Sequence, residues 1–148
     1  MILPDVNILV FAHNEDFPGY RIAKHWWGQA LDGEIGDVGL AWVTILGFIR
    51  VLTNRSVLEQ PLRSEDAVGL VQSWLQQDAV HIATPGEQHA EILFRLLKEL
   101  GAAGNLTTDA HLAALALEYR GQVATCDTDF ARFKGLRWFN PLAERSRR

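Results

Sequence analysis

The sequence is poor in thiols, with Cys126 its one cysteine. That excludes a disulfide framework and suits a reducing, cytoplasmic setting. Lysine is scarce as well: Lys24, Lys98 and Lys134 are all there is, and none directly follows a predicted strand. Long apolar runs are missing. The longest, residues 38–49, is closed by Asp37 and Arg50 and is too short to span a bilayer, so no membrane role is expected. The start, Met1-Ile2-Leu3-Pro4-Asp5, has no basic segment and is met early by an acid, so no signal peptide is expected. There is no glycine-rich phosphate loop, no His/Cys cluster with zinc spacing, no repeat and no Gly/Ser linker.

What remains is the composition of one globular domain: 148 residues, 48% apolar and 22% charged. A chain of this length buries enough surface to fold without staples. The expected organisation is a single domain over residues 1–141 and a basic tail over 142–148, in which Arg145, Arg147 and Arg148 read as a solvated terminus. Charge is uneven. Residues 1–118 carry 15 acids and 7 bases, whereas residues 119–148 carry 3 acids and 7 bases. Net acidity argues against a nucleic-acid partner. The basic C-terminal section keeps that partner open, because a metal ion can offset acids locally.

Short β-type runs (Met1–Leu3, Val38–Ala41, Val80–Ala83, Gln122–Thr125 and Leu136–Phe139) alternate with helical patterns over residues 20–31, 64–76, 86–100 and 108–120. Ser64 is placed to cap the second of these helices, and Gly101 and Gly121 to stop the last two. Residues 42–52 are apolar nearly all round, as a helix covered on both sides would be. Continuous apolar strands between helices predict an α/β fold, a three-layer α/β/α sandwich around a mainly parallel sheet. In such sheets ligands bind beyond the carboxyl ends of the strands.

Aspartates occupy those positions. Asp5 follows the first strand, Asp127 and Asp129 follow the strand ending at Thr125, and Asp109 opens the 108–120 helix, where the helix dipole favours a carboxylate. No Lys or Arg lies within three positions of Asp5, Asp109 or Asp127. Taken singly, Asp109 reads as a helix-end residue and Asp127 as the start of an Asx turn. Taken together they pose an electrostatic problem. Each pair of carboxylates ~4 Å apart repels by about 4 kcal/mol at an effective dielectric of 20. Either some protonate or a divalent cation sits among them. Oxygen ligands without thiolates suit Mg²⁺ or Mn²⁺, and such an ion serves metal-assisted phosphodiester hydrolysis.

Four segments carry a family resemblance: Leu3-Pro4-Asp5-Val6-Asn7, residues 46–54 from Leu46-Gly47-Phe48-Ile49-Arg50, residues 105–116 around Thr108-Asp109-Ala110-His111, and Thr125-Cys126-Asp127-Thr128-Asp129-Phe130. The chain resembles the VapC toxins of bacterial toxin–antitoxin pairs, which are PIN-domain ribonucleases. The resemblance implies Mg²⁺ ligands at Asp5, Asp109 and Asp127, which are also the catalytic residues, with Asp129, Asn7 and Thr125 in support. It further implies an RNA substrate, a homodimer and a VapB-type antitoxin. One departure stands out: most PIN domains have a further acid where this chain has Gly47. Mid-helix glycine costs roughly 1 kcal/mol relative to alanine, so the position needs space, either for close packing or at the site. Replacing Gly47 with Glu is expected to strengthen metal binding.

Other residues read more plainly. His111 is a surface or core histidine, Cys126 a small buried residue, and Trp26, Trp27 and Trp42 core or dimer contacts. Arg132, Lys134 and Arg137, beyond the Asp127 turn, offer cations to an RNA backbone. Three functions stay open: a metal-dependent endoribonuclease, a binding module for RNA or antitoxin without turnover because of Gly47, and, ranked last, an aspartyl-phosphate enzyme using Asp5.

Overall fold

The computed structural model describes residues 1–143, so Arg145, Arg147 and Arg148 of the expected tail lie outside the described residues. Five strands form the sheet: β1 (Ile2–Pro4), β2 (Val38–Leu40), β3 (Val80–Ile82), β4 (Gln122–Ala124) and β5 (Arg137–Phe139). Their order is β3-β2-β1-β4-β5, and every pairing is parallel. The helices are α1 (Val6–Phe11), α2 (Tyr20–Leu31), α3 (Trp42–Leu52), α4 (Ser64–Leu75), α5 (His89–Leu100) and α6 (Thr107–Glu118). Strand-to-strand crossovers need helices, and these coat both faces, giving the expected three layers.

The strand faces decide which helices go where. Leu3 and Val123, side by side in register, point to the face covered by α5 and α6. Val38 and Leu40 point to the other face, filled by α1, α2, α3 and α4. At the start of β4 the backbone of Met1 runs so close to Gly121 that a Cβ there would collide with the Met1 carbonyl. Gly121 therefore does more than stop α6: it lets β1 and β4 lie side by side.

Several local expectations change. Ser64 is the first residue of α4, not its cap; Arg63 is the cap, without a side-chain bond to the helix. The helix expected from residue 86 begins at His89, after a loop. A six-residue helix, α1, follows Asp5 directly and was not foreseen. Helix α3 is not covered on both sides, since Trp42 and Leu46 are 54% and 63% exposed.

Candidate functional site

The chain turns back on itself between β1 and β4, where the strand order reverses from the β2, β3 side to the β5 side. Such a switch point opens a crevice beyond the strand ends, and both strands deliver acids there. Asp5 leaves β1 and caps α1, its Oδ1 accepting from the Val6 amide at 2.7 Å. Its Oδ2 accepts from the Thr125 hydroxyl at 2.8 Å. Thr125 is fully buried and has one proton and two lone pairs to spend. The proton goes to Asp5, and the oxygen accepts from the Asp127 amide at 2.9 Å and from Asn7 Nδ2 at 3.3 Å. One hydroxyl thus fixes Asp5, Asn7 and the Asp127 loop relative to each other. Asp127 in turn accepts from the Asp129 amide at 2.8 Å, the Asx turn expected from the sequence.

Asp109 arrives from the opposite layer, in the first turn of α6. Its carboxyl is pushed up to about 6 by burial and by the negative charges of Asp5, Asp127 and Asp129. Burial also raises Asp5, against the lowering effect of its Thr125 and Val6 hydrogen bonds, with the Asp127 charge adding to the rise. The four carboxylates therefore share one field, and among the described residues no ion pair relieves any of them. Nor, among those residues, do three His, Cys, Asp or Glu side chains form a group that could hold an ion as they stand.

The donor chemistry nonetheless fits a hard divalent ion: aspartate oxygens and no thiolate, with the Asp5 and Asp109 carboxyls both raised by burial and by neighbouring acids. Asp5 and Asp109 also line a cavity of about 480 Å³ with Thr44, Leu46, Gly47, Arg50 and Thr108. A Cβ on Gly47 would lie 2.6 Å from Val6 Cγ2, so the glycine lets α3 press onto α1. Thr44, buried, donates its hydroxyl to the Pro4 carbonyl at 3.3 Å and ties α3 to the end of β1.

The chain matches the PIN domain model over residues 2–136. The chain belongs to the PIN-domain family. It is 42% identical over 144 residues to Ribonuclease VapC33 of Mycobacterium tuberculosis, covering 97% of this chain and 100% of that relative. With Ribonuclease VapC37 of the same organism it shares 39% over 143 residues, 97% of this chain and 99% of the relative. The fold resembles VapBC2 from Rickettsia felis bound to a DNA fragment from its promoter, with a TM-score of 0.67 at 17% identity, over 95% and 98% of the two chains.

In this PIN domain the remaining sequence readings sort as follows. Arg137 is level with Gln122 at the opposite end of the strands from Asp127, bonded to the Arg120 carbonyl at 2.8 Å, so it does not face the site. Arg132 and Lys134 are exposed. Cys126 is half-buried rather than buried, its thiol on Asn140 Oδ1 at 3.4 Å and pushed up by burial and by Asp5. Trp27 is core, whereas Trp42 is exposed. His111 belongs to a polar chain: its Nδ1 is 2.9 Å from His89 Nε2, and His89 Nδ1 is 2.6 Å from Glu118. Arg50, Thr44 and Leu46 were not singled out from the sequence. The signal was available, because Leu46 and Arg50 flank Gly47 in the segment that departs from the family.

Proposed function

We propose that the protein is the toxin of a type II toxin–antitoxin pair, an endoribonuclease that hydrolyses RNA phosphodiester bonds with Mg²⁺, Mn²⁺ being an alternative. The observation that carries this reading is the convergence of Asp5, Asp127 and Asp129 on Asp109, whose carboxyl burial and those three charges push up to about 6 with no Lys, Arg or His paired to it among the described residues. Near-full-length likeness to relatives named ribonucleases supports the substrate class. Likeness of fold to a VapBC complex supports an antitoxin partner of the VapB type. A homodimer in the cytoplasm completes the reading; the lone thiol supports that compartment. Among the described residues no helix is long and apolar enough to cross a membrane.

Asp5, Asp109 and Asp127 are the residues that would hold the ion. Bound there, it supplies a water of lowered pKa and offsets charge on the attacked phosphate. The protein's own part is positional. The Val6 amide and the Thr125 hydroxyl fix both oxygens of Asp5. Thr125 and Asn7 set the Asp127 loop, through the Asp127 amide and through a longer 3.5 Å bond from the Cys126 amide to Asn7 Oδ1. Asp129 adds negative charge from the exposed side.

The test is cleavage of RNA in Mg²⁺ by the purified chain, by Asp5→Asn and by Asp109→Asn. Loss of at least a hundredfold in both, with folding retained, is expected; wild-type rates in either variant end the assignment. A binding module without turnover is the second reading, favoured by Gly47 and by the absence of a ready three-ligand group among the described residues. Calorimetry decides it: RNA binding with no Mg²⁺ uptake at millimolar concentration selects that reading.

A further inference from the structure

Residues 42, 46 and 50 advance by one helical turn each, so Trp42, Leu46 and Arg50 form one stripe along α3. All three are exposed, although this helix is otherwise packed: Thr44, Ile45, Gly47 and Phe48 are buried behind them. Leu46 and Arg50 line the same cavity as Asp5 and Asp109. Arg50 takes part in none of the ion pairs among the described residues, and it is not among the charges that act on Asp109. An arginine that lines one cavity with Asp5 and Asp109 and pairs with neither is available to an anion brought in from outside.

RNA brings that anion into an otherwise negative cavity, and the helix offers an apolar ring beside it. Planar, bidentate recognition of phosphate is what a guanidinium does best. Exposed tryptophan gives nucleobases a stacking platform without regard to sequence. Gly47 sharpens the point. A side chain at position 47 would collide with Val6, and α3 sends no carboxylate into the cavity. Arg50, one turn further on, supplies positive charge from the protein itself.

We propose that the Trp42–Leu46–Arg50 stripe is the track for the RNA strand, with Arg50 gripping a phosphate at the cavity and Trp42 stacking on a neighbouring base. The two ends are about 12 Å apart along the helix, so the stacked base is not on the nucleotide whose phosphate Arg50 holds. This rests on the ribonuclease reading and adds how the substrate is held. Both are positioning residues: Arg50 lines the cavity, and Trp42 stands outside its lining, about two turns back along α3.

The experiment is fluorescence anisotropy of a labelled mixed-sequence single-stranded RNA 12-mer with the full chain in EDTA, over a range of salt. Arg50→Ala is expected to weaken binding about tenfold and to lower the salt slope by about 0.7. Arg50→Lys keeps the slope. Trp42→Ala weakens binding about tenfold with the slope unchanged, and Trp42→Phe recovers most of it. Arg55→Ala, in the turn beyond α3 and outside the cavity lining, binds as wild type. Wild-type affinity in Arg50→Ala and Trp42→Ala, both folded by circular dichroism, overturns the track. So does a Trp42→Ala variant that turns a dimer into a monomer in sedimentation while binding RNA normally, since the stripe then belongs to a second copy. If Asp5→Asn is inactive in Mg²⁺ while those two variants bind as wild type, the track fails and the nuclease reading stands. If the wild-type chain neither binds nor cleaves RNA, both fail.

Discussion

The two faces of the sheet are built from different materials. Beneath α1 to α4 the core is made of rings: Phe48 and Trp74 lie 4.7 Å apart, and Trp27 meets Trp74 edge-on at 5.2 Å. Beneath α5 and α6 leucines and small side chains dominate, with Ala110, Ala113, Ala114 and Ala116 all fully buried and Phe130 and Phe133 a ring pair 5.6 Å apart. Large rings fill space with few residues and fix helices at a distance. Alanines let α6 lie close against β1 and β4, and that closeness brings Asp109 to the strand ends. The α5–α6 pair is then clasped by a polar chain, Glu118 to His89 to His111. The site draws on both materials: Gly47 and Arg50 from the ring side, Asp109 from the alanine side, and Asp5 and Asp127 from the strand ends between.

The sharpest way to break this contrast is Trp74→Ala. Trp74 is 2% exposed and touches Phe48, Trp27 and His13, so its loss is expected to cost about 3–5 kcal/mol in urea denaturation. A cost below about 1 kcal/mol shows that the ring cluster is not what holds α4.

How much of this was readable beforehand depended on whether the information was local. The strands and the acids after them were legible, because Asp5 and Asp127 each follow an apolar run. Helix α1 was not, since six residues are too few to display a helical period. The stripe of α3 was hidden for another reason: apolar content says that a helix can be covered, not that it is. The His89–Glu118 contact joins residues 29 apart and exists only once α5 folds back on α6. Thr125 could be suspected from its place before Asp127, but its three partners depend on β1 and β4 pairing in register.

A smaller effect is expected at the one point where the ring side closes to glycine distance. Gly47→Ala drives a methyl onto Val6, an overpacking cost of about 1–3 kcal/mol that outweighs alanine's better helix propensity. Val6→Ala in the same chain restores most of that loss, and thermal melts of the two single variants and the double variant measure the coupling. Without the rescue, the glycine is not there for α1. The same crowding bears on Gly47→Glu, whose gain in metal affinity is expected to emerge only with Val6→Ala.

The smallest effect lies at the head of the alanine-side helix. Asp109 titrates at about 6 in the folded chain, above its ordinary value of 3.8. A carboxyl raised by folding weakens the fold when ionised. Its penalty is absent below 3.8, grows between the two values and is complete above about 6. Asp109→Asn is therefore expected to stabilise the metal-free chain by about 1 kcal/mol at pH 7.5, after discounting for solvent screening, and by nothing at pH 3.5. A wild type and variant that melt together at pH 7.5 would mean that neither burial nor the neighbouring acids raise Asp109.

The Thr125 hydroxyl has no capacity left over. Its single hydrogen is committed to Asp5 and its oxygen already serves an amide and a carboxamide. Exchange for valine would cut three tethers with one atom, freeing Asp5 to rotate and letting the 125–129 loop drift at the same time. Damage at this buried position, which carries no charge and touches no solvent, would thus resemble the loss of two acids rather than one alcohol.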